Sequence, residues 1–277
     1  MRRTETTGEP TTRRLKPVAA EKPWGRTDLP PPFAPTGGRR IGEIWFPGPD
    51  GDAALPLLVK YLFTSEKLSI QVHPNDQEAR ARGLPAGKEE CWYILDAEPE
   101  ARLGIGTVRP LTADELRDAA QSGAIEGLMQ WHAVTPGLFF HVPPGTIHAI
   151  GGGISLIEIQ QNSDVTYRLY DYGRPRELHL ADGVAVARSG PYPAALRQQV
   201  DSRRSAILLS TPHFTVAHIV DGDLSSLSGR AGPVQIVPIT GRVRAGGTAI
   251  GPGDCLATDA LPDIAAEEPG RMLIAIA

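Results

Sequence analysis

The stretch "LSIQVHPND" at residues 68–76 sets Gln71 and His73 two positions apart in an apolar run. Alternate side chains of a strand share a face, so Gln71 and His73 point one way while Ile70 and Val72 point the other. A second stretch, "GLFFHVPPGTIHAIG", carries Gly137, Pro143, Gly145 and His148. Its prolines and glycines set a tight turn, and His148 emerges on the next strand aimed inward. Between the two, "GKEECWYIL" brings Glu89 and Glu90 to the start of a strand. Gln71, His73, one of these glutamates and His148 offer an amide oxygen, two imidazoles and a carboxylate. Such a nitrogen and oxygen set without thiolate suits Zn²⁺ or another first-row divalent ion, with positions open for water or substrate. Taken singly, polar residues on a strand face are ordinarily solvated, and turns followed by histidine are common. Their occurrence together and in order is what makes a site.

The elements that must position these residues are short β-like runs separated by turns rich in Gly (30) and Pro (26), the pattern of an all-β barrel or sandwich. One segment breaks the habit. "LTADELRDAAQSGAIEGLM" has Thr112 as N-cap and Glu115 three residues later, which predicts a small helical insertion near 112–129. The N-terminal "MRRTETTGEPTTRRLKP" lacks an apolar segment and reads as a flexible tail over 1–18. A catalytic β domain over 19–190 and a smaller β domain over 200–277 follow from the strand pattern. Within "VTYRLYDYG", alternation puts Thr166, Arg168 and Tyr170 on one face and Val165, Tyr167 and Leu169 on the other. Trp24, Trp45, Trp92 and Trp131 read as core; His132, His141, His179, His213 and His218 read as core or surface.

The 277 residues carry 28 Lys+Arg against 32 Asp+Glu, a net charge of -4. That balance argues against a nucleic-acid partner, which calls for a basic stripe. No apolar run reaches the ~18 residues of a membrane span. Cys91 and Cys255 are too few for a disulfide framework, so a reduced, cytoplasmic setting is the expectation.

The Pro-x-Gly-x-x-His spacing at 143–148 resembles the second cupin motif. More broadly, the chain resembles the type I mannose-6-phosphate isomerases in their short bacterial form. "LPLLVKYLFTSEKLSIQVHPND", "GKEECWYIL" and "VPPGTIHAIGGGISLIEIQQNSDVTYRLYDYGR" match the signature blocks of that family, and "KPWG" and "IGEIW" match its weaker N-terminal blocks. The likeness is strong over about residues 22–182 and holds in outline for the C-terminal third. It implies a jelly-roll cupin barrel as catalytic domain, a smaller cupin-like β domain after it, and one zinc per chain held by Gln71, His73, Glu90 and His148. Glu90 is preferred to Glu89 because the family's glutamate directly precedes the Cys-Trp-Tyr run. The implied reaction interconverts mannose 6-phosphate and fructose 6-phosphate through a cis-enediol, with a small sugar phosphate as the partner. The resemblance places Arg168 beside the substrate, Lys88 near the reacting carbons, Glu158 in the pocket and Ser69 on the phosphate side. Lys67 is a further candidate for that side. Either Lys88 or Glu158 could move the proton. Gly87 stands where longer family members carry a histidine with a ring-opening role, and Arg26 replaces a usual glycine. Two rival readings are another metal-dependent cupin enzyme, such as a small-molecule oxygenase, and a non-catalytic sugar-phosphate-binding cupin.

Overall fold

The strand Leu57–Phe63 is buried at every residue. Leu62 turns into the main core, while Tyr61 and Phe63 meet the ring of Phe33 edge-on, on the other side. A computed structural model describes residues 11–48 and 55–277. It divides into two units, one of Pro17–Asp201 and one that gathers Ser202–Ala277 with the described residues up to Lys16.

In the first unit, seven strands form an antiparallel sheet in the order Arg197–Gln199, Leu138–Val142, Glu90–Ala97, Ile154–Gln161, Leu57–Phe63, Ile41–Trp45 and Val18–Arg26. Five more form a second sheet in the order Tyr167–Tyr170, Ile70–Val72, His148–Ile150, Arg102–Thr107 and Met129–Ala133. From Leu57 onward the chain repeatedly crosses from one sheet to the other, the interleaving of a jelly roll. Trp92, Ile94, Leu103, Ile105, Phe140 and Leu156 fill the space between the sheets.

The helical insertion covers Ala113–Ser122 and Ile125–Leu128, between two strands of the smaller sheet. Thr112 and Glu115 form the capping box, and Gly123 at φ 80° ends the first helix in the left-handed region. Leu116, Ala119 and Ala120 pack with Ile70, Val72, Tyr167 and Leu169 on one face of that sheet. This apolar contact fixes the register of "LSIQVHP". With Ile70 and Val72 held under the helices, Gln71 must face inward.

The second unit is a seven-stranded antiparallel sheet built around the long strands Val234–Ala245 and Ile264–Ile276. Here the expected tail over 1–18 needs correction. Residues 1–10 lie outside the described residues, but Thr12–Arg14 pairs with Leu256–Thr258 at the edge of this sheet. Leu15 is buried, and its N–H donates to the Cys255 carbonyl at 2.8 Å. The polar composition concealed an edge strand whose stability comes from backbone pairing, which leaves little trace in side-chain periodicity. Val18 already belongs to the first unit's Val18–Arg26 strand. Among the described residues, no helix is long and apolar enough to cross a membrane.

Candidate metal centre and its cavity

Three turns and strand ends converge on one buried point between the two sheets. His73 lies just past Ile70–Val72, and its carbonyl accepts the Gly145 N–H at 2.7 Å, which ties the two turns together. Gly145 sits at φ 86°, where a side chain is strained, so the Pro-Pro-Gly turn before His148 depends on it. His148 opens the next strand directly opposite Gln71. Glu90 opens Glu90–Ala97 in the facing sheet.

The side chains meet closely. His73 Nε2 lies 3.5 Å from Glu90 Oε2, and His148 Nε2 lies 3.3 Å from Glu90 Oε1. All three groups are buried, with one ligand atom each within 4.8 Å of the others. Gln71 stands beside them, its amide nitrogen 3.2 Å from His148 Nε2 and its Oε1 accepting from the Ser69 hydroxyl at 3.2 Å. His148 Nδ1 lies 2.9 Å from the Thr146 carbonyl, an atom that can only accept, so Nδ1 carries the proton and Nε2 presents a lone pair. A lone pair thus faces a carboxylate in a dry interior. Neither Glu90 oxygen nor His73 Nε2 has a hydrogen-bond partner. Buried acceptors left in this state call for a cation among them. Ligand atoms about 2.1 Å from a tetrahedral ion stand about 3.4 Å apart, close to the separations here. The residues fit a metal ion.

Electrostatics agrees with that fit. Burial, with help from the Lys88 ammonium, holds the His148 imidazole down at about 4, and His73 is pushed well below its usual range. Both imidazoles are neutral at pH 7. Burial, helped by the nearby Glu158 carboxylate, raises Glu90 to about 7 even though Lys88, with Nζ 3.4 Å from Glu90 Oε2, opposes the rise. Burial also opposes ionisation of Glu158, but Lys60 and Lys88 outweigh it and hold that carboxyl at about 2.

Beside the centre opens a cavity of about 380 Å³, lined among others by Ser69, Gln71, Lys88, Glu158 and Arg168. Five residues chosen from the sequence therefore share one cavity. Arg168 stands opposite Gln71 across the strand pair, and its Nη1 donates to the Glu177 carbonyl at 2.6 Å. Its Nε is buried without a partner. Glu89 turns away from the centre and pairs with His141 at 2.7 Å.

Other expectations are corrected. Lys67 does not line the cavity: its ammonium pairs with Glu126 and lies over the Trp131 and Tyr172 rings. Tyr170 does not share the Arg168 face, because a bulge between Arg168 and Tyr170 shifts the register and turns Tyr170 toward the helices. Trp45 and Trp131 are only half-buried, and Trp24 and Trp45 line the cavity. Sequence reasoning passed over Lys22, Glu43, Lys60, Asp164, Arg176 and His179, which also line it. One of them left a signal, since Lys60 is the lone charge in the apolar "LLVKYLF". Gly87 leaves no room for a side chain. A Cβ there would come within 2.4 Å of the Asn75 carbonyl carbon and 2.6 Å of the Asp76 nitrogen.

No protein-family profile matches the chain. It is similar to mannose-6-phosphate isomerase ManA of Bacillus subtilis, 38% identical over 195 residues, covering 65% of this chain and 61% of that protein. The matched part thus spans about three-fifths of that relative. YvyI of the same organism, provisionally named a mannose-6-phosphate isomerase, is 37% identical over 254 residues, 77% of each chain. The crystal structure of the mannose 6-phosphate isomerase from Bacillus subtilis superposes with a TM-score of 0.74 at 27% identity, covering 98% of this chain and 100% of that one. A zinc-bound mannose 6-phosphate isomerase shares the fold, with a TM-score of 0.71 at 16% identity over 96% of this chain and 99% of that one. With its jelly roll and identity of this extent, the chain belongs to the mannose-6-phosphate isomerase family.

Proposed function

We propose that the protein is a zinc-dependent aldose–ketose isomerase acting on mannose 6-phosphate and fructose 6-phosphate, with Gln71, His73, Glu90 and His148 holding one ion per chain. The observation that carries this is the buried His73–Glu90–His148 cluster, with the His73 nitrogens and Glu90 oxygens free of hydrogen bonds, beside a cavity lined by Lys88, Glu158 and Arg168. The zinc of a structural relative supports the choice of metal. A bound divalent ion supplies polarisation of the substrate oxygens as their charge develops.

The chain's own residues do the rest. Lys88 Nζ, once it has released one proton and stands as the neutral amine, takes the proton from C2 of the aldose and returns it to C1, while the O2 hydroxyl proton passes to O1 on the way to the ketose. Glu158, with both oxygens already engaged by Lys60 and Trp92, accepts hydrogen bonds from substrate hydroxyls on its remaining lone pairs. Arg168 Nε, a buried donor without a partner, meets the oxygens next to the reacting carbons. Ser69 lines the same cavity as a hydroxyl for the substrate's polar end.

The test is a coupled assay that reads fructose 6-phosphate formed from mannose 6-phosphate by purified, zinc-loaded protein. Turnover abolished by a chelator and restored by zinc is the expected result. Absence of turnover from fully loaded, folded protein sinks the reading.

A further inference from the structure

We propose that Lys60, although it lines the cavity, binds no substrate and instead is the positioning residue that fixes the Glu158 carboxylate. The inference rests on the isomerase reading above. Lys60 is the one charged residue of the buried strand Leu57–Phe63. An ammonium taken from water costs several kcal/mol unless it is paired and hydrogen-bonded. Here the ammonium has two close acceptors and an aromatic ring nearby. Lys60 Nζ lies 3.1 Å from Glu158 Oε1, donates to Gln160 Oε1 at 2.7 Å, and stands 5.1 Å from the centre of the Trp45 ring. An ammonium has three N–H groups and no acceptor, and two of its three donors are committed to Glu158 and Gln160. The orientation of Gln160 is fixed as well. Its amide nitrogen donates to the Gln161 and Ser163 carbonyls at 3.0 and 2.8 Å, which leaves the oxygen for Lys60.

The register explains how the carboxylate is held. Glu158 sits directly opposite Lys60 on one neighbouring strand and Trp92 on the other. Lys60 engages Oε1, and the Trp92 indole N–H donates to Oε2 at 3.1 Å. Two anchors, one on each oxygen, stop rotation of the carboxylate about its last bond. The same Trp92 ring lies edge-on to His148, 5.4 Å between centres, so the fixed carboxylate is also registered against the metal centre. Burial is the largest influence and disfavours the charged form of Lys60, yet the Glu158, Glu43 and Glu90 carboxylates together outweigh it and keep the ammonium charged.

The experiment is a double-mutant cycle on zinc-loaded full-length protein. Lys60→Met should lower kcat by about tenfold or more, the loss of one charge-assisted hydrogen bond, with KM within about threefold of wild type. Lys60→Arg should recover most of that loss. Lys60→Met/Glu158→Gln, which leaves no orphaned charge, should be no slower than Glu158→Gln alone, because both changes remove the same effect. Zinc content should stay unchanged throughout. Losses that multiply in the double variant, or a Lys60→Met effect confined to KM, overturn the proposal, since either means that Lys60 touches the substrate. Wild-type kinetics in Lys60→Met overturn it too. An inactive wild-type protein removes the isomerase reading and this inference with it, an outcome seen before any variant is made.

Discussion

His148 Nε2 faces Glu90 Oε1 across 3.3 Å as a lone pair, because the Nδ1 proton of His148 is committed to the Thr146 carbonyl. The tautomer is thereby chosen by the backbone of the same turn that delivers the histidine. A site so arranged is prepared for a cation before one arrives, which lowers the cost of ordering ligands on binding.

Metal content follows directly. Purified protein should carry about one zinc per chain, and His73→Ala or His148→Ala should lower that content at least tenfold, as loss of a ligand does. Elemental analysis with circular dichroism measures both, the second to show that the barrel persists. Full occupancy in either variant removes these histidines from the ligand set.

Acid should release the metal and weaken the metal-free fold over a definite window. His148 is held at about 4 in the folded state by burial, whereas an unfolded histidine titrates near 6.5. Between those values the unfolded chain binds more protons at this histidine, so its contribution to stability is full above about pH 6.5 and is lost as the pH drops toward 4, while Glu90, raised to about 7, offsets part of it in the same window. Chemical denaturation of metal-free protein at a series of pH values checks this. His148→Ala should flatten the slope within that window.

Arg168→Lys should lower kcat/KM by about tenfold or more, the loss of a planar two-pronged donor, with most of the fall in kcat. A contact with the phosphate alone would raise KM and spare kcat. Steady-state kinetics across a range of mannose 6-phosphate concentrations separates the two. Unchanged kinetics would take Arg168 off the site.

Gly87→Ala should destabilise the protein by about 1–3 kcal/mol, the usual cost of overpacking, because the added methyl meets backbone atoms of Asn75 and Asp76 that cannot move aside cheaply. The Gly87 N–H also donates to Asp76 Oδ1 at 2.9 Å, so the strain falls on the turn that follows His73. Thermal denaturation reads the loss. A melting temperature equal to wild type would show that this backbone yields.

Removal of residues 1–16 should cost the second unit about 2 kcal/mol, chiefly the burial of Leu15. Isomerase activity at low temperature should survive. Hydrogen exchange localised to Leu256–Thr258 would report the missing edge strand.

The sequence by itself determined which polar residues gather at the candidate metal centre and the kind of scaffold that holds them. Polar pairs at strand spacing, the Pro-Pro-Gly turn and the Thr112–Glu115 cap are local features, governed by backbone sterics and hydrogen bonds between near neighbours. The cavity facing of Ser69, Lys88, Glu158 and Arg168 was legible from the family's signature blocks. What only the tertiary structure decided depends on contacts between segments far apart in the chain. Lys67 looked like a cation for the substrate until Glu126 and the Trp131 ring drew it to the surface. Tyr170 left the Arg168 face because a bulge, which alternation cannot foresee, inserted an extra residue into the ladder. Thr12–Arg14 became a strand through an edge supplied some 240 residues later, and such pairing carries no pattern in its own side chains. Lys60 could be noticed as a charge among apolar neighbours, but its role was set by Glu158 and Gln160 on the adjoining strand. A buried charge is stable only with its partners in place, and those partners are chosen by the register of the sheet.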